Sequence, residues 1–213
     1  MSNSRQGIYG KYIGSYYDGS KSLTKAQQQI NAKYIWSFLK DHGWSMNAVA
    51  GMLGNMQEES SINPGRWQSD DVGDTYSGYG LVQWTPASKY INWCKNNGYS
   101  DPSEMDNNLR RILYELENNI QYAATSSYNL SFKEFSVSTK SASYLGKAFL
   151  LNYERPKDQS VSNQNARGAK AETWFEYLQS VDPSTPVNPS SGTRFKRKKF
   201  NFILFNYRRR MRT

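Results

Sequence analysis

The sequence predicts an α+β domain dominated by helix, with a small β-hairpin beside a cleft, and three observations carry that prediction. Apolar residues recur at helical spacing in six separate stretches. One intervening segment, residues 64–79, is rich in Gly, Asp, Ser and Tyr, the composition of loops and a short hairpin. The chain holds a single cysteine, Cys94, so no internal disulfide is available and stability must come from a hydrophobic core. The 213 residues, 37% hydrophobic and 21% charged, suffice for one such core with extensions.

Residues 1–22 show no clear periodicity and are expected to form an irregular N-terminal arm. Thr24-Lys25-Ala26-Gln27 has the capping-box pattern and opens a helix with Ile30, Tyr34, Ile35, Phe38 and Leu39 on its apolar face. Gly43 ends it. A second helix starts at Ser45, aligns Val49, Met52, Leu53 and Met56, and runs into Gln57-Glu58-Glu59-Ser60 before Asn63-Pro64-Gly65 stops it. Gly51 and Gly54 lie inside this helix. Each costs about 1 kcal/mol relative to alanine, so a closely packed neighbour is expected there.

Thr85-Pro86 predicts the N-cap and first residue of a third helix carrying Tyr90, Ile91, Trp93 and Cys94. A fourth, over 104–124, points Leu109, Ile112, Leu113, Leu116 and Ile120 inward. A fifth, over 141–153, carries Tyr144, Leu145, Phe149 and Leu150; a sixth, over 166–179, carries Trp174, Phe175 and Leu178. The domain is expected to span 23–181. Residues 182–193 form a Pro/Ser linker and residues 194–213 a basic aromatic tail.

The net charge of +9 is local. Nine of the 27 basic residues fall between Arg194 and Arg212, which leaves 18 against the chain's 18 acidic residues. Inferences from charge therefore concern the tail alone, which is suited to anionic polymers or surfaces. No nucleic-acid fold motif accompanies it, so no specific nucleic acid is expected. The lone histidine, His42, and Cys94 fall short of a zinc site or a persuasive Cys–His pair. No metal and no cofactor are expected. The first residues lack the apolar core of a secretory signal, and no stretch approaches the length of a transmembrane helix.

The chemistry concentrates in residues 54–64 and 78–84. A carboxylate at the end of an apolar helix, facing a cleft, has its pKa raised by desolvation and by the negative end of the helix dipole. That keeps it protonated, as a general acid must be. Glu58 and Glu59 lie about 100° apart on a helix. Glu59 shares the face of Met52 and Met56, so Glu59 is assigned to chemistry and Glu58 to solvent or a capping role.

Glu-Ser-Ser-Ile-Asn-Pro at 59–64 resembles the motif around the catalytic glutamate of goose-type lysozymes and soluble lytic transglycosylases. Gly80-Leu81-Val82-Gln83 resembles their Gly-Leu-x-Gln motif. The run from Asn31 to Trp93 is similar to the lysozyme domain of tail-tip proteins from small podophages of Gram-positive hosts, as are Asn152-Tyr153-Glu154-Arg155-Pro156 and the Trp174 segment. The resemblance implies a lysozyme-like fold, peptidoglycan glycan strands as substrate, other phage tail proteins as partners, and a place in the virion tail tip. It implies Glu59 as the acid and Gln83 as a residue holding the sugar. Tyr79 and Trp84, flanking it, either contact glycan or fill the core. Asn152 to Arg155 either line the opposite wall, with Tyr153 on substrate, or form a buried helix end bonded between Glu154 and Arg155.

An inverting hydrolase needs a second carboxylate about 6.5–9.5 Å away. Asp70, Asp71 and Asp74 sit in the loop facing the motif and are the candidates for it, with Asp71 or Asp74 favoured because Gly73 lets the loop fold back; the alternative is that they only form turns. A lytic transglycosylase would use Glu59 alone. Related tail proteins continue through such a linker into a peptidase-like domain. The abrupt change at the tail therefore has two readings, a functional basic segment or a truncated frame.

Overall fold

The computed structural model describes residues 3–14 and 22–183; the linker beyond Pro183 and the basic tail lie outside them. The chain begins with two antiparallel strands, β1 (Asn3–Gly7) and β2 (Gly10–Gly14), with Asn3 paired to Gly14 and Gly7 to Gly10. The expected irregular arm is thus a hairpin. Its buried apolar residues, Tyr12 and Ile13, are adjacent in sequence and so give no alternating signal. Its position is set by a tertiary contact: the Asn31 side chain accepts from the Ile13 N–H at 2.6 Å and donates to the Ile13 carbonyl at 2.7 Å. Conversely, residues 64–79 hold no strand pair. They contain a 3-10 turn, Gln68–Asp70, and isolated bridges joining Tyr79 to Trp67 and to Trp84.

Helix α1 (Lys25–Asp41) carries the expected capping box, with Thr24 accepting from the Gln27 N–H and Gln27 accepting from the Thr24 N–H. Tyr34, Ile35, Phe38 and Leu39 are buried, whereas Ile30 is 42% exposed, at the edge of the apolar stripe. Helix α2 (Met46–Ser60) is capped by Ser45 and ends where Ser61 and Ile62 turn left-handed. Val49, Met52, Leu53 and Met56 are all fully buried.

Helix α3 (Ala87–Asn96) starts one residue later than expected, with Pro86 in the cap position. Helix α4 (Met105–Asn118) stops early because Asn119 adopts a left-handed conformation, which turns Ile120 outward. A short α5 (Phe132–Ser136), capped by a Ser131/Glu134 box, went unforeseen because it is barely longer than one turn. Helix α6 (Ala142–Phe149) continues into a π-helical turn over Leu150–Glu154, and α7 (Val161–Val181) begins well before the predicted start.

The core is built by α2, α6 and α7, which pack on one another. Glycine makes the approach close. A Cβ on Gly51 would lie 2.9 Å from the Leu145 backbone, and one on Gly54 2.8 Å from Ala171 N and Arg167 O. The expected close neighbour of α2 is therefore α6 at Gly51 and α7 at Gly54. Asp182 accepts from Trp36 Nε1 at 2.9 Å and Lys40 Nζ at 2.6 Å, tying the end of α7 back to α1. No helix among the described residues is long and apolar enough to cross a membrane.

Candidate active site

Glu59 occupies the last turn of α2, with its side chain 22% exposed. The apolar face that buries Met52 and Met56 brings it to the edge of the core, and the left-handed Ser61 and Ile62 then turn the chain away from it. That turn is anchored twice. Asn31 Nδ2 donates to the Ile62 carbonyl at 2.7 Å, and the Ser60 hydroxyl donates to the Leu81 carbonyl at 2.9 Å. The second bond fixes the end of α2 against residues 78–84.

That segment also depends on glycine. Gly80 has φ +84°, and a Cβ there would meet Asn108 Oδ1 at 2.7 Å. The same Oδ1 accepts the Leu81 N–H at 3.0 Å, while Asn108 Nδ2 donates to Tyr90 Oη, also at 3.0 Å. Gln83, itself left-handed at φ 49°, donates from Nε2 to the Arg66 and Gly80 carbonyls.

Between these elements lies a cavity of about 290 Å³. Glu59 and Glu154 supply its carboxyl groups, Gln68, Gln83 and Thr85 its other polar lining, and Val82 and Pro156 apolar lining. A larger cavity near the hairpin, of about 340 Å³, is lined by Glu104 and Asp106, but Asp106 is engaged by the Tyr34 hydroxyl.

The electrostatics of the first cavity centre on Arg167 of α7. Its Nη2 donates to Glu59 Oε1 at 2.9 Å and its Nη1 to the Asn55 carbonyl at 2.9 Å. Burial pushes the Glu59 carboxyl above its ordinary pKa; the charge and hydrogen bond of Arg167 pull it back, Glu58 pushes it up, and the net direction is upward. Burial raises the Glu154 carboxyl much further, helped by repulsion from Glu59. Glu58 is exposed, as expected, and pairs with Lys170 at 2.8 Å. Among the described residues, no three His, Cys, Asp or Glu side chains are placed to hold a metal ion. What the arrangement offers is a carboxylic acid, half sheltered, at the rim of a polar cavity.

Residues 30–178 match the phage tail lysozyme family, which covers most of the chain. The chain belongs to that family. It is also 49% identical over 163 residues to morphogenesis protein 1 of Bacillus phage B103, a match covering 76% of this chain and 43% of that protein. The chain thus spans less than half the length of the relative it matches.

The structure of this phage tail lysozyme domain brings Glu59, Gln83 and Glu154 to one cavity and leaves Asp71, Asp74, Tyr79, Trp84 and Tyr153 outside its lining. Tyr79 and Trp84 are buried and belong to a ring stack: Trp84 lies 4.4 Å from Tyr90, and Tyr79 lies 4.4 Å from Trp67. Their core reading is the one observed. Tyr153 is fully buried and donates to Glu115 Oε2. Glu115 also accepts from Trp84 Nε1 at 2.9 Å and Arg111 Nε at 2.8 Å, so Tyr153 serves a buried polar network instead of a cleft wall.

Asp71 is exposed, and Asp74 is held by the Ser77 hydroxyl and the Tyr76 N–H, which lower its pKa. Asp74 thus makes the side-chain bonds of a turn. No Glu154–Arg155 bond forms, because Arg155 turns left-handed, its N–H bonds to the Leu150 carbonyl and its side chain is exposed. The residue that sequence reasoning missed is Arg167. Glu154 falls in the stretch read as a candidate cleft wall, and of Asn152 to Arg155 it is the one that lines the cavity. Arg167 had one signal: it sits among Ala166, Gly168, Ala169 and Ala171, a stretch of small residues suited to a close helix contact.

Proposed function

We propose that this domain cleaves the glycan strands of bacterial peptidoglycan, with Glu59 as the proton donor. The observation that carries the reading is the placement of Glu59: a carboxyl group at the C-terminal end of an apolar helix, lining a cavity, with its pKa raised by burial. Membership of the phage tail lysozyme family supports it. Arg167 engages Oε1, which leaves Oε2 to carry the proton. Transfer of that proton to the bridging oxygen breaks the glycosidic C–O bond as positive charge develops on the sugar ring. Gln83 has both N–H directions of its amide committed to backbone carbonyls, so its Oε1 is left to accept a sugar hydroxyl or amide.

Two outcomes follow bond cleavage. Water attack gives a reducing end, the lysozyme reaction. Attack by the sugar's own hydroxyl gives an anhydro end and needs no second carboxylate. Asp71 and Asp74 lie outside the cavity lining, and Glu154 is buried toward its neutral form, which favours the second route. Mass spectrometry of peptidoglycan digests distinguishes them. Reducing muramic ends identify hydrolysis, anhydro-muramic ends identify transglycosylation, and intact strands that bind the protein would show a wall-binding element instead.

The biological setting that fits is local wall penetration by a tail-borne protein, in contact with other tail components. Immunodetection in purified particles supports this role. Detection only in lysates places the protein at host lysis.

A further inference from the structure

Two stretches far apart in sequence line the cavity: Val82, Gln83 and Thr85 from one, Glu154 and Pro156 from the other. In each stretch one residue turns its side chain into the protein instead. These are Trp84, between Gln83 and Thr85, and Tyr153, just before Glu154. Both donate to the same carboxylate, Glu115 of α4: Trp84 Nε1 to Oε1 at 2.9 Å, and the Tyr153 hydroxyl to Oε2. Arg111 Nε, 2.8 Å from Oε1, balances the charge. The Glu115 side chain is 1% exposed and does not line the cavity, so its influence there passes through the residues it holds.

The two bonds differ in what depends on them. Tyr153 has other anchors: its ring stacks on Phe149 with centroids 4.4 Å apart, and its carbonyl accepts from Gln121 Nε2 at 3.0 Å. Trp84 pairs with Tyr79 through its backbone and stacks on Tyr90, with ring planes 21° apart. Stacking fixes the height of the indole but resists rotation within its own plane only weakly. The directional bond from Nε1 to Glu115 fixes that rotation. Rotation of the indole bears on Gln83. The ring edge sits against Gly80, where a Cβ would lie 3.0 Å from Trp84 Cζ3, and the Gly80 carbonyl accepts from Gln83 Nε2 at 3.0 Å. We propose that Glu115 is a positioning residue that aims the Gln83 amide at the glycan through Trp84 and Gly80. This rests on the reading of the cavity as the glycan site.

The test compares Trp84→Phe with Tyr153→Phe in the full chain. Each variant removes one donor to Glu115 and keeps an aromatic ring, so a Glu115 that serves stability alone predicts the same outcome for both. Nitrogen-15 NMR of the Gln83 side-chain amide is read beside KM on purified peptidoglycan. In Trp84→Phe the amide signals move and KM rises about 3–10-fold, with kcat and the pH profile of cleavage unchanged. In Tyr153→Phe the signals and KM stay at their wild-type values. Glu115→Gln keeps a carbonyl oxygen for the indole and behaves as wild type, whereas Glu115→Met reproduces Trp84→Phe; this pair keeps the test open if Trp84→Phe does not fold. Amide signals that stay in place in Trp84→Phe, a wild-type KM in a Trp84→Phe that cleaves, or equal changes in Tyr153→Phe overturn the proposal. If the signals move in Trp84→Phe alone but wild type releases no glycan fragments, the positioning stands and the functional reading fails. If fragments are released and the signals do not move, the reverse holds.

Discussion

Arg167 Nη2 lies 2.9 Å from Glu59 Oε1, although 108 residues separate them in the chain. The contact joins α7 to the end of α2 and pulls against the larger upward push that burial gives the Glu59 carboxyl. Replacing Arg167 with Met removes this bond and the one to the Asn55 carbonyl. Glu59 can take up a proton, so the cost falls below that of stranding a buried charge; about 1–3 kcal/mol is expected. Urea unfolding should show a lower midpoint with unchanged slope. The Glu59 titration should move to higher pH, because a pKa-lowering partner has gone.

Gly54→Ala sets two effects against each other. Helix propensity gains about 1 kcal/mol. The new Cβ, however, would lie 2.8 Å from Ala171 N and Arg167 O, which are backbone atoms and cannot swing aside. Overpacking of about 1–3 kcal/mol should win, and the shift of α7 should carry Arg167 off Glu59. Thermal unfolding and cleavage rate should both fall.

Tyr153→Phe separates a structural role from a substrate-binding one. Loss of the hydroxyl leaves Glu115 Oε2 without its donor and should cost about 1–3 kcal/mol. KM on peptidoglycan should stay unchanged, since Tyr153 is fully buried. A raised KM at intact stability would restore Tyr153 to the cleft wall.

Glu154 should leave a signature in stability against pH. Its folded pKa is raised, so its contribution is intact below the unfolded value of about 4.3 and is lost as pH rises toward the folded value. Glu154→Gln cannot ionise. The difference in Tm, variant minus wild type, should therefore grow more positive from about pH 4 to pH 8. Asp101, Glu134 and Asp158 have lowered values that work in the opposite direction in both proteins and cancel in the difference. A constant difference across the range would contradict it.

What the sequence made legible was local. Periodicity placed the buried face of α2 and, with it, chose Glu59 over Glu58. Capping chemistry located the starts of α1 and α2, and the glycines of α2 announced a close neighbour without naming it. What stayed hidden depends on contacts between distant segments. β1 (Asn3–Gly7) has no apolar side chain of its own, and Asn31 positions the hairpin across 18 residues. Arg167 meets Glu59, and Glu154 reaches the same cavity, only after α6 and α7 pack on α2. Tyr79 and Trp84 looked equally suited to sugar or core, and only their packing against Trp67 and Tyr90 shows where they sit. In Asp-Asp-Val-Gly-Asp, a turn-forming and a catalytic aspartate look alike in sequence, and only the structure places Asp71 and Asp74 outside the cavity lining.

The most direct test compares glycan release from purified peptidoglycan by wild type and Glu59→Gln, at matched concentration, with circular dichroism confirming an equal fold. Loss of a general acid should lower the rate about 10²–10⁴-fold while helix content is unchanged. Undiminished release of soluble glycan by Glu59→Gln would contradict the account.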